Sequence, residues 1–374
     1  MNISNEVNQA LRAKRELAVD LMIRDNLDAI AFVPGANFLY LTNVNLHLME
    51  RLTLFVLTRE GDQFAVIPSL EKYKWSHGMP SSNTIYWKDT EGPFDALKQL
   101  WVAVGVNKVL GIEGMRMRAA EFHALSHLWG NENVVDADTT LSSLRIFKDA
   151  DELADLSRAI EISERALNEV YDGGIGARSE LEISGRLKAA MLAHGASGFA
   201  FEPIVLAGQG AANPHGDSGN RVVMPGDALL VDFGASYGTM HADITRTVFC
   251  EHCDENDAAL YEVVMRANEA GRSAVGPKNT VGQVDLEATE VLASSQFKDL
   301  ILHKTGHGLG REVHEAPQVM VTNTQKQEPG MVFTVEPGLY LKGKLGVRIE
   351  DNVVVTDQGH VCLTQQSREI LTYA

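Results

Sequence analysis

Residues 304–317 read KTGHGLGREVHEAP, with glycine at 306, 308 and 310 and histidine at 307 and 314. Each glycine inside a packed helix costs about 1 kcal/mol relative to alanine, so three in five residues argue against a helix here. The histidines are therefore presented from extended or turning backbone. His303 stands just upstream, and Glu336 and Glu350 follow. A segment this polar needs chemical partners, and these acids are the first candidates.

Further acids can be paired by folding the chain on paper. In VDFGASYGTMHAD, a reversal about Tyr237 and Gly238 sets Ser236 against Thr239, Gly234 against His241 and Asp232 against Asp243. Cross-strand Cβ atoms lie roughly 5 Å apart. Two ionised carboxylates at that separation repel unless a cation lies between them. In MVFTVE and VRIEDNVVV, a reversal about Gly343 sets Glu336 against Glu350, across the polar connection GLYLKGKLG. A connection of this length holds register only loosely. Leu230, Asp232 and Gly234 share one strand face while Leu229, Val231 and Phe233 take the other; Arg348, Glu350 and Asn352 alternate with Ile349 and Val353 in the same way. Buried acids need partners. A single strand aspartate is usually an edge or solvent-facing residue, so the argument rests on the set. With His307, the four acids form a hard, oxygen-rich donor set suited to two divalent ions roughly 3.5–4 Å apart.

A chain of 374 residues predicts two domains. Over 1–147 the pattern is α/β: helices at 5–26, 92–104 and 115–128, and strands in DAIAFV, RLTLFVLT, QFAVIP, VNKVLGIEG and ENVVDAD. The junction enters a long helix, with Thr139 or Asp151 as candidate caps. Over 148–374, helices at 150–171 and 179–194 precede strands from FEPIVLAG to VFC. Helices in DAALYEVVMRANEAGRSA and VGQVDLEATEVLASSQF then precede a second set of strands, which suggests an internally duplicated α+β unit. The formal net charge of −17 divides as −3 over residues 1–147 and −14 over 148–374. No Lys/Arg cluster exists to displace counterions, so nonspecific binding to nucleic acid is excluded; dense carboxylates can instead be neutralised by bound cations. No apolar run approaches the roughly 20 residues of a spanning helix, and the N-terminal segment reads as an amphipathic helix rather than a signal peptide. The cysteines, Cys250, Cys253 and Cys362, form no disulfide framework, which predicts a cytoplasmic setting. The CEHC step at 250–253 lacks the second pair a zinc site needs.

NPHG at 213–216, the VDFG aspartate with HADITRT at 241–247, HKTGHGLGREVHEAP at 303–317, TVEPGLY at 334–340 and VRIEDNVVV at 347–355 also resemble known motifs. They are similar to those of the metallopeptidase family that contains methionine aminopeptidases, Xaa-Pro aminopeptidases and Xaa-Pro dipeptidases (prolidases). The likeness runs from about residue 155 to the end. It implies the pita-bread, creatinase/aminopeptidase-like catalytic fold with an internal pseudo-twofold duplication. By that resemblance Asp232 chelates one ion, Asp243 and Glu350 bridge both, and His307 with Glu336 holds the other. The cofactors implied are two divalent metal ions per subunit, manganese favoured over cobalt, zinc or iron. Glu336 then takes the proton of the water that the ions activate, His215 and His314 contact substrate and support the tetrahedral intermediate, and His303 shapes the proline-side pocket. Arg348 shares the face of Glu350 and can orient a ligand carboxylate, as Thr245 can beside Asp243. Tyr237, in the turn, reads as an exposed ring.

Methionine aminopeptidases generally lack a separate α/β domain such as 1–147. Its presence, NPHG, and the His303/His307 pair point to the proline-specific branch. The expectation is a metal-dependent hydrolase of small peptides, of aminopeptidase P or prolidase type, working as a cytoplasmic homodimer. Segment 35–53 resembles the stretch that reaches the partner's active site, with His47, Glu50 and Arg51 as candidate substrate contacts. A dipeptidase must set a charge against the substrate's free carboxylate, and Arg348 is a candidate. Two alternatives stand: hydrolysis of a non-peptide small amide such as a compatible-solute derivative, and a noncatalytic peptide- or protein-binding module.

Overall fold

The computed structural model describes residues 3–79 and 83–374, with side chains from residue 9 onward. The chain divides into two compact units, Met1–Arg145 and Ile146–Ala374.

In the first unit, DAIAFV and its neighbours form a six-stranded mixed sheet. Its order is Thr84–Trp87, Gln63–Pro68, Leu54–Thr58, Ala29–Phe32, Leu110–Ile112, Val134–Asp136. Alternation sends Ile30 and Phe32 to Met22, Phe38 and Trp75 on one side, and Ala29, Ala31 and Val33 to Leu97, Leu100 and Trp129 on the other. A sheet covered on both faces explains why its central strand is an unbroken apolar run. The helix expected at 5–26 runs Ile3–Arg24. Two short helices, Ala36–Thr42 and Lys72–Gly78, carry no helical period in the sequence; Phe38, Leu41 and Trp75 hold them to the core.

The second unit repeats one plan twice. Helices Ala150–Asp172 and Glu180–Ala193 cover a sheet whose centre is the hairpin of Ala228–Phe233 with Ile244–Cys250. Helices Glu255–Ser273 and Val281–Ala293 accompany a sheet whose centre pairs Val332–Val335 with Asp351–Thr356. Leu229, Val231 and Phe233 pack with Leu156, Ile160 and Leu187; Phe333, Val335 and Val353 pack with Val281 and Val284. Alternation then turns Asp232, Thr334, Glu350 and Asn352 to the opposite faces. The two hairpins meet along one line: the Glu350 N–H donates to Thr245 O at 3.1 Å, and the Asp243 N–H donates to Asn352 Oδ1 at 3.3 Å. The Arg246 guanidinium also donates to Glu350 O at 2.6 Å.

The glycine-rich segment resolves into a short strand, Gly306–Gly308, lying between Glu315–Val319 and Val332–Val335. A Cβ at Gly306 would stand 2.2 Å from Thr334 O, and one at Gly308 2.1 Å from Ala316 O. The glycines are there so that three backbones can close on His307.

Neither Thr139 nor Asp151 caps the long helix. Asp149 does, accepting from the Glu152 N–H at 2.9 Å while the Glu152 carboxylate accepts from the Asp149 N–H at 3.2 Å. The signature D-x-x-E was present at 149–152. Asp149→Ala is expected to cost about 1 kcal/mol, read as a fall of roughly 2–4 °C in the melting temperature by calorimetry.

Candidate metal centre

Asp232 and Asp243 do not face each other across the hairpin. Phe233 pairs with Ile244 and Asp232 with Thr245, and Tyr237 pairs with Met240. The expected register is off by two because Gly238 and Thr239 make the turn, not Tyr237 and Gly238. Gly238 takes φ +57, as the first central position of a II′ turn requires. A shift of two preserves faces, so Asp232, Thr245 and Asp243 still share one. Glu336 and Glu350 do lie opposite each other, between the pairs Val335 with Asp351 and Gly338 with Arg348. The connection between them is itself a hairpin, Gly338–Leu341 with Leu345–Arg348, which holds the register that a flexible loop would not.

These acids and His307 converge. Ligand atoms of Asp232, Asp243 and Glu350 lie within 4.8 Å of one another, as do those of His307, Glu336 and Glu350, and those of Asp243, His307 and His314. His307 Nε2 stands 3.2 Å from Glu336 Oε1 and 3.6 Å from Asp243 Oδ2. Its Nδ1 lies 3.1 Å from Gly308 O, a contact that needs an N–H at that nitrogen. In the neutral ring, Nε2 then turns its lone pair toward two carboxylates. That is repulsion without a cation and ligation with one.

The electrostatics agree. Burial pushes the Asp243 carboxyl well above the ordinary range, and the charges of Glu350, Asp232 and Glu336 add to it. Burial raises Glu350 likewise, with Glu336 and Asp232 contributing. It raises Asp232 too, although Arg348 pulls the other way. Burial also acts on Glu336, but in the absence of a cation His307, Arg348 and His303 beside it outweigh that and hold the carboxyl at about 2. Asp232 Oδ1 and Glu350 Oε1 are buried without a hydrogen-bond partner among the described residues. Buried oxygens are normally satisfied, so two orphans on converging acids fit a donor set made for divalent cations.

The cluster floors a cavity of about 600 Å3 whose wall combines Phe201, Ile204 and Pro214 with His215, His303 and His314. The sequence profile of Metallopeptidase family M24 matches residues 154–357, and that of the Creatinase/Prolidase N-terminal domain matches residues 14–147. The chain belongs to metallopeptidase family M24. Its relatives include the Bacillus subtilis protein YkvY, 32% identical over 90% of this chain and 93% of that one. Among solved structures it is similar to a Pyrococcus horikoshii dipeptidase, at a TM-score of 0.90 and 31% identity over 96% of this chain and 99% of that one. A Thermococcus sibiricus prolidase gives a TM-score of 0.92 and 31% identity over 96% and 98%. A Thermotoga maritima X-Pro aminopeptidase gives 0.83 and 28% over 96% and 99%.

In this M24 chain a second layer of contacts orients the acids. Arg348, 3% exposed, donates to Asp232 through Nη2, to Thr245 Oγ1 at 3.0 Å and to Tyr340 Oη at 2.8 Å. The Thr245 hydroxyl in turn donates to Glu350 Oε2 at 2.7 Å. Tyr340 Oη also lies 2.8 Å from His303 Nε2, and His303 Nδ1 lies 2.8 Å from Lys304 O. Burial pushes His303 below its ordinary range, which favours the neutral ring. His314 stacks edge-on to His307 with centroids 4.2 Å apart, and burial, then the charge of His307, lowers it too. His314 thus joins a possible ligand group that sequence reasoning did not give it.

Thr334, Tyr340 and Asn352 were not singled out. Thr334 Oγ1 accepts from the His307 N–H at 3.1 Å and donates to Glu336 at 3.2 Å. The available signal was period two: Thr334 precedes Glu336 by two, and Asn352 follows Glu350 by two. Tyr237 is exposed and does not line the cavity. In the first unit His47 and Glu50 are exposed, and Arg51 is held by both oxygens of Asp89 at 2.9 Å. The cysteines are free, and among the described residues none joins a candidate metal group. Among the described residues no helix is long and apolar enough to cross a membrane.

Proposed function

We propose that this protein is a metal-dependent peptidase that hydrolyses the bond before proline in small Xaa-Pro peptides. The observation that carries the reading is the convergence of Asp232, Asp243, His307, Glu336 and Glu350, with two orphaned carboxylate oxygens, under a peptide-sized cavity walled by histidines. The prolidase and X-Pro aminopeptidase among the similar structures support the proline preference. Two divalent ions, manganese favoured on so oxygen-rich a set, would supply Lewis-acid polarisation of the scissile carbonyl and an activated water.

Asp232, Asp243, His307, Glu336 and Glu350 would hold those ions. Arg348 and Thr245 aim Asp232 and Glu350 inward through their hydrogen bonds. Glu336, which lines the cavity with its carboxylate 3.2 Å from His307 Nε2, would receive the proton lost by the attacking water. His314 and His215, both lining the cavity, can each donate an N–H to the oxygen that gains charge. His303, braced by Tyr340, forms the side against which the proline ring rests. Three unpaired cysteines support a cytoplasmic setting. A homodimer, as the resemblance of the sequence implies, is to be read by sedimentation at several concentrations.

The deciding assay strips the metal, restores manganese, cobalt or zinc, and offers Xaa-Pro dipeptides, Xaa-Pro-Yaa tripeptides and N-acetylated small amides. Metal-dependent cleavage before proline is expected; cleavage of the amides alone would overturn the reading. His314→Ala is expected to keep its metal content and lose about 10²- to 10³-fold in kcat. Loss of metal in that variant would make His314 a ligand instead.

A further inference from the structure

Among the residues that line the cavity are two basic side chains, Arg348 and Lys304. Arg348 is fully engaged by Asp232, Thr245 and Tyr340, and turning it toward a substrate would leave Asp232 uncovered. It therefore cannot be the charge that meets a substrate carboxylate, the role open to it in the sequence. Lys304 is differently placed. Half-buried one residue after His303, it donates to the neutral amide oxygen of Gln318, and among the described residues it forms no ion pair. An ammonium has three donors, so two remain for a ligand. Its charge reaches the chemistry: Lys304 helps to lower His314, and Glu336 pulls Lys304 upward against the effect of burial.

We infer that Lys304, steadied by Gln318, receives the free carboxylate of the residue that follows the scissile bond, so that dipeptides are the preferred substrates. This rests on the peptidase reading above and names the substrate class within it. The physical need is plain. One residue beyond the scissile bond is only about 3.8 Å of chain, so a dipeptide's carboxylate stays inside the cavity that Lys304 lines. A half-desolvated carboxylate needs a charge-assisted hydrogen bond to remain bound. A longer peptide puts a neutral amide at the same place and leaves the ammonium without its partner.

The test compares three substrates on manganese-loaded enzyme: an Xaa-Pro dipeptide, the same dipeptide as its C-terminal amide, and an Xaa-Pro-Yaa tripeptide. Wild type is expected to prefer the dipeptide to its amide by about tenfold to a hundredfold in kcat/KM. In Lys304→Met that ratio should fall to near one, mainly through KM for the dipeptide, and Lys304→Arg should restore part of it. Both substrates are read on one sample, so partial unfolding or metal loss cancels in the ratio. A ratio unchanged in Lys304→Met, or a wild-type preference for the tripeptide, overturns the inference and leaves the peptidase reading standing. A metal-loaded wild type that cleaves none of the three overturns both.

Discussion

Glu350→Ala is expected to lose metal and activity together, with kcat/KM falling by about three orders of magnitude or more, the scale on which removing preorganised electrostatic stabilisation acts. Glu350 belongs to two of the three groups of converging ligand atoms, and its Oε1 has no other partner. Its Oε2 is already held by Thr245, so the side chain has no freedom to be replaced by a neighbour. Glu350→Gln separates charge from shape. The amide oxygen can still accept from Thr245, so the variant should fold, yet it should bind manganese poorly and turn over as slowly as the alanine variant. Metal-to-protein ratio by elemental analysis and kcat/KM are the two readouts. Full activity in either variant would remove Glu350 from the machinery.

The second large effect is on stability. With metal chelated, the unit Ile146–Ala374 should become less stable as pH rises from about 5 to 8, and manganese should reverse the trend. Asp232, Asp243 and Glu350 have folded values raised above the ordinary carboxylate range. Between the unfolded value, about 4, and the raised folded value, the native chain binds more protons than the unfolded chain. Stability therefore falls with rising pH through that window. Glu336 has the opposite sign: held at about 2, it contributes stability above its ordinary value, lost as pH drops from about 4 toward 2. Ligation needs deprotonated acids, so manganese binds more tightly as pH rises. At a free concentration of about 1,000 Kd it adds about 4 kcal/mol, on the order of 10 °C in melting temperature. Calorimetry of chelated and manganese-loaded protein at pH 5, 6.5 and 8 measures this. A chelated protein whose stability climbs with pH would show that the acids are not strained in the absence of cations.

Much of the centre was legible because its residues sit in short segments with clear alternation. Period two in ALLVDF and VRIEDNVVV put Asp232 and Glu350 on the faces turned away from their covering helices, and the glycines around His307 marked a place where backbones must close in. The register of Glu336 against Glu350 followed from the same pattern, even though GLYLKGKLG was taken for a loose connection and is a paired hairpin. The Asp232 to Asp243 register was misread because tyrosine–glycine and glycine–threonine are equally plausible turns on paper. Only the fit of the surrounding sheet selects between them.

Residue identity and local period thus sufficed for the inventory: which acids and imidazoles exist, which share a face, and which divalent ions such donors suit. Neither could say that Thr245 would bond to Glu350, 105 residues away, or that Arg348 would be closed off by Asp232 and Tyr340 while Lys304 would donate to Gln318. Those outcomes come from two hairpins meeting along one line, each turned inward by its own helix pair. No local window contains that packing, because the contacts that produce it are made between segments a hundred residues apart.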